Sequence, residues 1–319
     1  MTRPTETLYD PRNGDLSLKV ADWVLTPDAD VQERTNYFTI YWARAGSGAF
    51  WADAGSYAFA APALLFFVPY QYVRFAPSGP VAGVAVQFHA NFLCIETYHE
   101  EVGCNGVLFN DLYGAPVVGL DERHDREVGD LIGQIRRELT EGGLAHAEAL
   151  LSYLKVFLIR ATRLKRDQQG LARETPAGRL PPDLAALRDL IEARYREWHA
   201  PAEYAAALHA DPKALGKAVK TRLGKTLTEL IRDRILKHAK WELLHTLKPV
   251  KQVARELGYT DELYFSRLFK RATGHAPAFF REYETAVRGG KNLSMPLPLP
   301  SIPTASPDAQ NGHSPAGES

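Results

Sequence analysis

A helix-turn-helix pattern that occurs twice between residues 201 and 272 constrains this chain more than any other feature. In the first copy a short helix ends at Leu208, and Asp211-Pro212 opens a longer helix with a favoured N-cap and a favoured first residue. In the second copy Gly258 ends a short helix, Thr260 is a candidate cap, and a longer helix follows over residues 261–272. This part of the chain is therefore predicted to be entirely helical.

Both longer helices are predicted to bury one face and expose the other. In the first, Leu215 and Val219 face inward, while Lys213, Lys217 and Lys220 share a basic stripe at helical spacing. In the second, burial of the aromatic and aliphatic positions points the following residues outward: Leu263, Ser266, Arg267 and Lys270.

The segment between the two copies is predicted to be a long connecting helix. Thr226-Leu-Thr-Glu229 is a capping-box pattern that opens a helix running to about Leu247, before Pro249. Such a helix spans roughly 31 Å, and one turn of DNA is about 34 Å. The connector is therefore long enough to hold two helices in successive major grooves on one face of DNA.

These residues resemble the C-terminal DNA-binding domain of the arabinose-regulator (AraC/XylS) family of bacterial transcription factors. The second copy carries most of the resemblance through the residues from Gly258 to Gly274, followed by Pro277 and Phe280-Arg281. The first copy and the connector match through Ala205, Leu208, Leu215, Lys220, Gly224 and Arg232-Asp-Arg-Ile-Leu-Lys-His-Ala239. The resemblance covers about a hundred residues and implies a double helix-turn-helix that binds DNA.

The resemblance also implies contact roles on DNA. Candidates for base contacts are Lys213, Lys217, Leu263, Ser266 and Arg267, and candidates for phosphate contacts are Lys220, Lys270 and Arg271. An arginine in the major groove favours guanine, while a flexible lysine is less strict. The chain departs from the family pattern with Gly216 inside the first longer helix, Val219 in place of a usual Phe, and Leu263 in place of a usual Ser. Leu263 either contacts a thymine methyl group or packs within the protein.

Net charge divides the chain in the same way. Residues 1–165 carry 14 Lys/Arg and 20 Asp/Glu, a net charge of −6, whereas residues 183–287 carry 19 and 14, a net charge of +5. An acidic front and a basic back indicate a phosphate-seeking module joined to another domain, and composition drift is the alternative explanation.

The front half is predicted to be a small antiparallel barrel or sandwich, because short aromatic and β-branched runs separated by turn residues extend from Trp23 to Val118. It resembles the small-barrel (cupin-type) effector-binding and dimerisation domain of the same family through Tyr41-Trp42, Gly46-Ser-Gly48, Gln87-Phe-His89 and Cys104-Asn-Gly106. The candidate lining of an effector pocket is Tyr37, Tyr41, Trp42, Phe50, Trp51, Phe67 and Tyr72, with ordinary core packing as the alternative for each.

An enzyme is a disfavoured alternative for this barrel. Enzymatic cupins bind a metal through a His-x-His pair, and no such pair occurs in residues 1–165. A cupin-type enzyme with a helical appendage is therefore the competing hypothesis, and the sequence predicts no catalytic residue and no cofactor.

A regular stretch of His89, Cys94, His99 and Cys104 is the other candidate for chemistry. A step of five residues rotates about 140° on a helix and reverses the face on a strand, so no regular element gathers all four. Structural bystanders are the favoured interpretation. A metal site and a reversible thiol switch remain open, which leaves a metal- or redox-responsive regulator as an alternative function.

The fold class predicted is α+β with two domains. The boundaries are 1–120 for a cupin-like barrel, 121–165 for a helical dimerisation segment, 166–182 for a linker, 183–287 for the double helix-turn-helix and 288–319 for a disordered tail. No apolar run approaches the ~20 residues of a membrane span, and the start lacks the apolar core of a signal peptide. The expectation is a cytoplasmic, dimeric transcription regulator that binds promoter DNA, an unknown small effector and, if it activates, RNA polymerase.

Overall fold

The structure is a computed structural model that describes residues 5–28, 30–93, 107–109, 111–174 and 182–289. In this part of the chain ten strands precede nine α-helices. The strands are β1 Thr5–Thr7, β2 Leu18–Leu25, β3 Gln32–Thr35, β4 Phe38–Ala45, β5 Ser47–Ala52, β6 Gly55–Ala60, β7 Ala63–Phe67, β8 Val73–Pro77, β9 Val81–Phe88 and β10 Val117–Gly119. The helices are α1 Glu122–Glu141, α2 His146–Glu174, α3 Pro182–Arg194, α4 Pro201–Ala207, α5 Pro212–Leu223, α6 Leu227–His245, α7 Val250–Glu256, α8 Glu262–Thr273 and α9 Pro277–Val287.

The N-terminal domain is built from two five-stranded sheets. Their strand orders are β1-β3-β8-β5-β6 and β10-β7-β4-β9-β2. Aromatic side chains from both sheets fill the space between them: Trp23, Tyr41, Phe50, Phe59, Phe67 and Phe75. The predicted two-domain α+β class, with a β-rich front and a helical back, is confirmed.

Helices α1 and α2 cover the outer face of the second sheet. Strand β4 has both faces buried, because Tyr41 points between the sheets while Ile40 and Trp42 face the helices. The apolar stripe of α2 packs on this face through buried residues such as Leu154 and Phe157. The apolar stripe of α2 therefore covers the sheet.

Helix α2 extends further than the sequence pattern indicates. Residues 166–174 were predicted to open a linker, yet they continue the helix to Glu174. The Gln168 amide donates to the Gly119 carbonyl at 2.7 Å, and the Gln169 amide donates to Asp111 Oδ2 at 2.8 Å. These polar bonds hold a segment that has no apolar periodicity. None of the described helices combines the length and the apolarity that a membrane span requires.

The C-terminal domain consists of α3–α9 around one apolar core. Helices α4 and α5 form the first predicted helix-turn-helix, and α7 and α8 form the second. The connector α6 begins at the predicted capping box, in which Thr226 and Glu229 bond each other's backbone. It ends two residues earlier than predicted because Thr246 is extended, and its 19 residues span about 28 Å.

Two glycines of this domain have opposite surroundings. Gly258 ends α7 with φ +82°, and a Cβ at this position would lie 2.3 Å from the Arg196 carbonyl oxygen. Gly216 lies within α5, where a Cβ would meet no atom within 4 Å. The turn of the second unit therefore requires glycine, whereas α5 tolerates a side chain.

We expect Gly258→Ala to lower the free energy of unfolding by at least about 2 kcal/mol, because the left-handed backbone and the carbonyl both exclude a methyl group. Gly216→Ala is expected to raise it by about 0.5–1 kcal/mol through helix propensity. Urea unfolding of both variants measures the difference. Equal effects of the two substitutions would contradict the distinction between the sites.

A buried carboxylate joins the two domains. Glu284 of α9 is 2% exposed, and its Oε1 accepts hydrogen bonds from the Tyr70 hydroxyl and from Asn36 Nδ2 at 3.2 Å. Its Oε2 lies 3.3 Å from His89 Nε2 and 3.3 Å from Nε and Nη2 of Arg288. Three residues of the N-terminal domain therefore converge on one side chain of the C-terminal domain.

The surroundings of Glu284 keep it ionised. Burial alone would raise the pKa of this carboxyl group, but His89, Arg288 and the Tyr70 hydroxyl favour the charged form and lower its pKa to about 2. Because the pKa of the folded state lies below the ordinary value of 4.5, the contribution to stability is complete above pH 4.5. It is lost as the pH falls from 4.5 towards 2.

We expect Glu284→Gln to cost about 3 kcal/mol of unfolding free energy at pH 7, because it removes the negative partner of a buried cationic group. The variant should also lose less stability than the wild type when the pH falls from about 5 to about 2. Urea unfolding over this pH range measures both effects. Glu282→Gln, at an exposed position of the same helix, is the matched control. Indistinguishable acid profiles of the wild type and Glu284→Gln would contradict the assignment.

Candidate DNA interface and interdomain cavity

The first helix-turn-helix presents its basic stripe to solvent. Asp211 caps α5 by accepting a hydrogen bond from the Ala214 N–H at 2.8 Å, and Pro212 is the first helical residue. Leu215 and Val219 are buried, as their spacing predicts. On the other face Lys213, Lys217 and Lys220 are exposed. The Lys220 ammonium also donates to the Gly224 carbonyl at 3.2 Å, at the C-terminal end of the helix.

The second unit is closed by Asp261 rather than by Thr260. One carboxylate oxygen of Asp261 accepts from the N–H groups of Leu263 at 2.8 Å and Tyr264 at 3.1 Å. This N-cap lies one residue after the threonine that the sequence suggested. The buried face of α8 is formed by Phe265, Leu268 and Phe269.

The residues predicted to point outward from α8 do so. Arg267 has a side chain 73% exposed, and its guanidinium approaches Asp261 no closer than 3.9 Å. Leu263 is 70% exposed, so it does not pack within this chain, and its contact with a thymine methyl group stays a prediction. Lys270 is exposed and Ser266 is half-buried. Helix α8 therefore exposes a cationic side chain, Arg267, and an apolar side chain, Leu263, on one face.

Arg271 is positioned differently from the other phosphate candidates. Although exposed, it lies at the wall of an interdomain cavity of about 840 Å³. The N-terminal domain contributes Arg34, Asn36, Tyr57, Tyr70 and Tyr72 to this cavity. The C-terminal domain contributes Lys225, Arg232, Lys240, Trp241, Arg271 and Arg288.

Lys225, which follows the end of α5, forms an ion pair with Asp233 at the wall of the cavity. The Lys225 ammonium lies 2.7 Å from Asp233 Oδ2. Burial alone would lower the pKa of Lys225, but Asp233, Tyr57 and Asp53 raise it above its usual range. Burial also raises the pKa of Asp53. This pair is therefore a fixed ionic contact rather than a free cation.

The seven effector-pocket candidates lie in different places. Tyr41, Phe50 and Phe67 meet between the sheets, where Phe50 is fully buried and its ring centroid lies 5.3 Å from that of Phe67. Tyr72 lines the interdomain cavity. The other three are apart from both: Tyr37 packs against Tyr9 and His89, Trp42 donates to Asp125 of α1, and Trp51 is 37% exposed.

Strand geometry explains this separation. Successive side chains of a strand point to opposite faces, so neither Tyr41 with Trp42 nor Phe50 with Trp51 lines one interior. The sequence already indicated this separation, because the two members of each pair are adjacent residues of one strand. Among the described residues, a cavity large enough for a small molecule lies instead where the two domains meet.

Glu284 and Tyr70 are the functional candidates that the sequence pattern did not single out. Glu284 shares a helical face with the buried Phe280 and Val287, and a carboxylate in an apolar stripe is a readable sign of a buried polar contact. Tyr70 has no such sign, because it belongs to a loop and its ring packs 4.9 Å from Phe280 of the other domain.

The Cys/His stretch is described only at its start. His89 is buried and faces Glu284, and its Nδ1 accepts from the Asn91 N–H at 3.2 Å. Cys94, His99 and Cys104 lie outside the described residues. Within the residues that are described, no cluster of three or more His, Cys, Asp or Glu is suited to a metal ion.

Comparison with known proteins identifies the helical region. Residues 204–283 match the family model described as a helix-turn-helix domain. The arabinose operon regulatory protein of Escherichia coli (strain K12) is 28% identical over 191 residues, which cover 58% of this chain and 60% of that protein. The HTH-type transcriptional activator RhaR of Klebsiella pneumoniae is 28% identical over 146 residues, which cover 45% of this chain and 49% of that protein. The chain thus spans 60% or less of each of these relatives.

A solved structure and a second arabinose regulator complete the comparison. The C-terminal domain of AraT, a response regulator from Geobacillus stearothermophilus, is 28% identical with a TM-score of 0.32, and covers 33% of this chain and 88% of that one. The arabinose operon regulatory protein of Salmonella typhimurium is 37% identical over 70 residues, which cover 22% of this chain and 25% of that protein. Residues 204–283, which hold the two helix-turn-helix units, thus match a helix-turn-helix domain family, and the chain is similar to these arabinose operon regulatory proteins.

Proposed function

We propose that this chain is a transcription regulator that binds promoter DNA through α5 and α8. The single observation that carries the proposal is the pair of helix-turn-helix units with exposed cations, joined by the helix α6. A connector of about 28 Å is close to the ~34 Å turn of DNA, so the two longer helices fit successive major grooves. Lysines and arginines on these faces supply the phosphate and base contacts.

Two further points support regulation rather than catalysis. The relatives are named as a regulatory protein and as a transcriptional activator. The candidate site consists of exposed cations on helix faces, which suits a nucleic acid more than a reacting small substrate. A cytoplasmic location and, for an activator, contact with RNA polymerase belong to the same proposal.

The effector site is proposed at the interdomain cavity. The space between the sheets is occupied by aromatic rings, whereas the cavity of about 840 Å³ has the size of a small-molecule site. Its walls belong to both domains, so an occupant contacts the sensing half and the DNA-binding half together. Homodimerisation through the α1–α2 region also stays a proposal, supported by the exposed Leu144 between the two helices and the exposed Val156 of α2.

Selection of bound sequences from random duplex DNA tests the proposal. The full chain should enrich a site with two half-elements about one helical turn apart, and its affinity should fall steeply with added salt. Recovery of a sequence that only one unit contacts would restrict the proposal to one recognition helix. An absence of salt-sensitive binding to any duplex would reject it.

On the selected site we expect Arg267→Ala to cost about 1–3 kcal/mol and to relax the preference at one base pair. Lys270→Ala should instead weaken all sequences alike and reduce the salt slope by about one. Fluorescence anisotropy with the selected duplex and single-base variants measures both effects. Arg137→Ala is the matched control, because it removes an exposed arginine from α1, far from the proposed interface along the chain. A uniform loss with Arg267→Ala would make Arg267 a phosphate contact.

A further inference from the structure

The carboxylate that caps α8 uses only one of its two oxygens for the cap. Asp261 Oδ1 accepts hydrogen bonds from the N–H groups of Leu263 at 2.8 Å and Tyr264 at 3.1 Å. These two bonds hold the carboxylate at the N-terminal end of the helix, and the Asp261 side chain is still 57% exposed. The cap therefore leaves a negative charge in a fixed position that a bound molecule can reach.

The guanidinium of Arg267 lies beside the other oxygen of this carboxylate. Arg267 Nη2 is 3.9 Å from Asp261 Oδ2, and the arginine side chain is 73% exposed. Long side chains on a helix lean towards its N-terminal end, which is how a residue six positions after the cap reaches back to it. An exposed pair of this kind contributes little to stability. Its effect is instead on where the guanidinium lies.

The first helix-turn-helix has the same spacing without the same contact. Asp211 caps α5, and Lys217 follows it by six residues, as Arg267 follows Asp261. Among the described residues the Asp261 carboxylate has an ion pair with its cation, whereas the Asp211 carboxylate has none. A lysine ends in a single ammonium group, while a guanidinium carries five N–H donors in one plane. An arginine can therefore meet a carboxylate with one edge and a base with another.

We propose that Asp261 is a positioning residue that directs Arg267 to the edge of a guanine and away from DNA phosphates. The proposal rests on the proposed function, since it names how the same helix α8 distinguishes one DNA sequence from another. Guanine offers two neutral acceptors in the major groove, O6 and N7, so it can approach a guanidinium that already lies beside a carboxylate. A phosphate that approaches the same guanidinium brings two negative charges close together, which costs free energy.

The charge of Asp261 acts on two quantities in opposite directions. It weakens binding to every duplex, because it places a negative charge near the phosphate backbone. It strengthens discrimination, because a group that disfavours the wrong complex increases specificity as much as one that favours the right complex. Removal of the charge should therefore raise the affinity for random DNA and lower the preference for guanine. A residue that only caps the helix would not produce this combination.

Asp261→Asn separates the charge from the cap, because asparagine caps helices about as well as aspartate does. We expect the full-length variant to bind a random duplex about twofold to threefold more tightly at fixed salt. Its preference for the selected site over the same site with the guanine replaced should fall about threefold to tenfold. The guanine is the one whose base pair Arg267→Ala ceases to distinguish. Fluorescence anisotropy with the selected duplex, its single-base variants and a random duplex measures both effects.

Three further variants assign the effect to the pair of Asp261 and Arg267. Asp211→Asn removes the same charge from the cap of α5 and should leave discrimination at this base pair unchanged. Asp261→Ser, a second uncharged capping residue, should reproduce both effects of Asp261→Asn. In the Arg267→Ala background Asp261→Asn should cause no further loss of discrimination, because its partner is absent. Urea unfolding midpoints close to that of the wild type show that the cap is retained.

Two results would overturn the positioning role and keep the regulator. The first is full discrimination by both Asp261→Asn and Asp261→Ser. The second is a loss of equal size in the Arg267→Ala background, which would show that Asp261 acts on the base without Arg267. An absence of salt-sensitive binding of the wild type to any duplex is a different failure, because it rejects the regulator together with the role of Asp261.

Discussion

A carboxylate buried where two domains meet stays ionised only if its neighbours replace the water that it has lost. Glu284 meets this condition with Tyr70 and Asn36 on one oxygen and with His89 and Arg288 near the other. Separation of the domains would remove the first three of these neighbours together. The contact therefore helps to hold the β-rich domain on α9, and Glu284 lines the interdomain cavity that lies between the domains.

The same contact reaches α8, the second helix that we propose to bind DNA, through packed rings. Tyr70 lies 4.9 Å from Phe280 of α9, and Phe280 lies 5.4 Å from Phe269 of α8, measured between ring centroids. Phe269 is fully buried, and two residues before it Arg267 points to solvent. A change in domain docking would thus act on residues packed against α8, the second proposed recognition helix. Physical adjacency becomes coupling only if the ligand favours one of two arrangements.

The sequence was sufficient where the structure depends on local chemistry. The caps at Asp211 and Thr226 and the turn at Gly258 mark helix boundaries through their own side chains or backbone freedom, and the structure has them there. The extension of α2 escaped prediction because Gln168 and Gln169 bond to residues far away in the chain. The contact between Asn36 and Glu284 joins positions 248 residues apart, and no local pattern encodes such a pairing.

The location of the cavity bears on how a ligand could act. A ligand held between the two sheets contacts only the N-terminal domain, and it must first displace closely packed rings such as Phe50 and Phe67. A ligand in the interdomain cavity meets side chains of both domains without that displacement. Its binding energy depends directly on how the domains are docked, because the walls of the cavity belong to both domains. The domain boundary, rather than the barrel interior, is therefore the proposed place where a bound ligand influences the position of the helical domain.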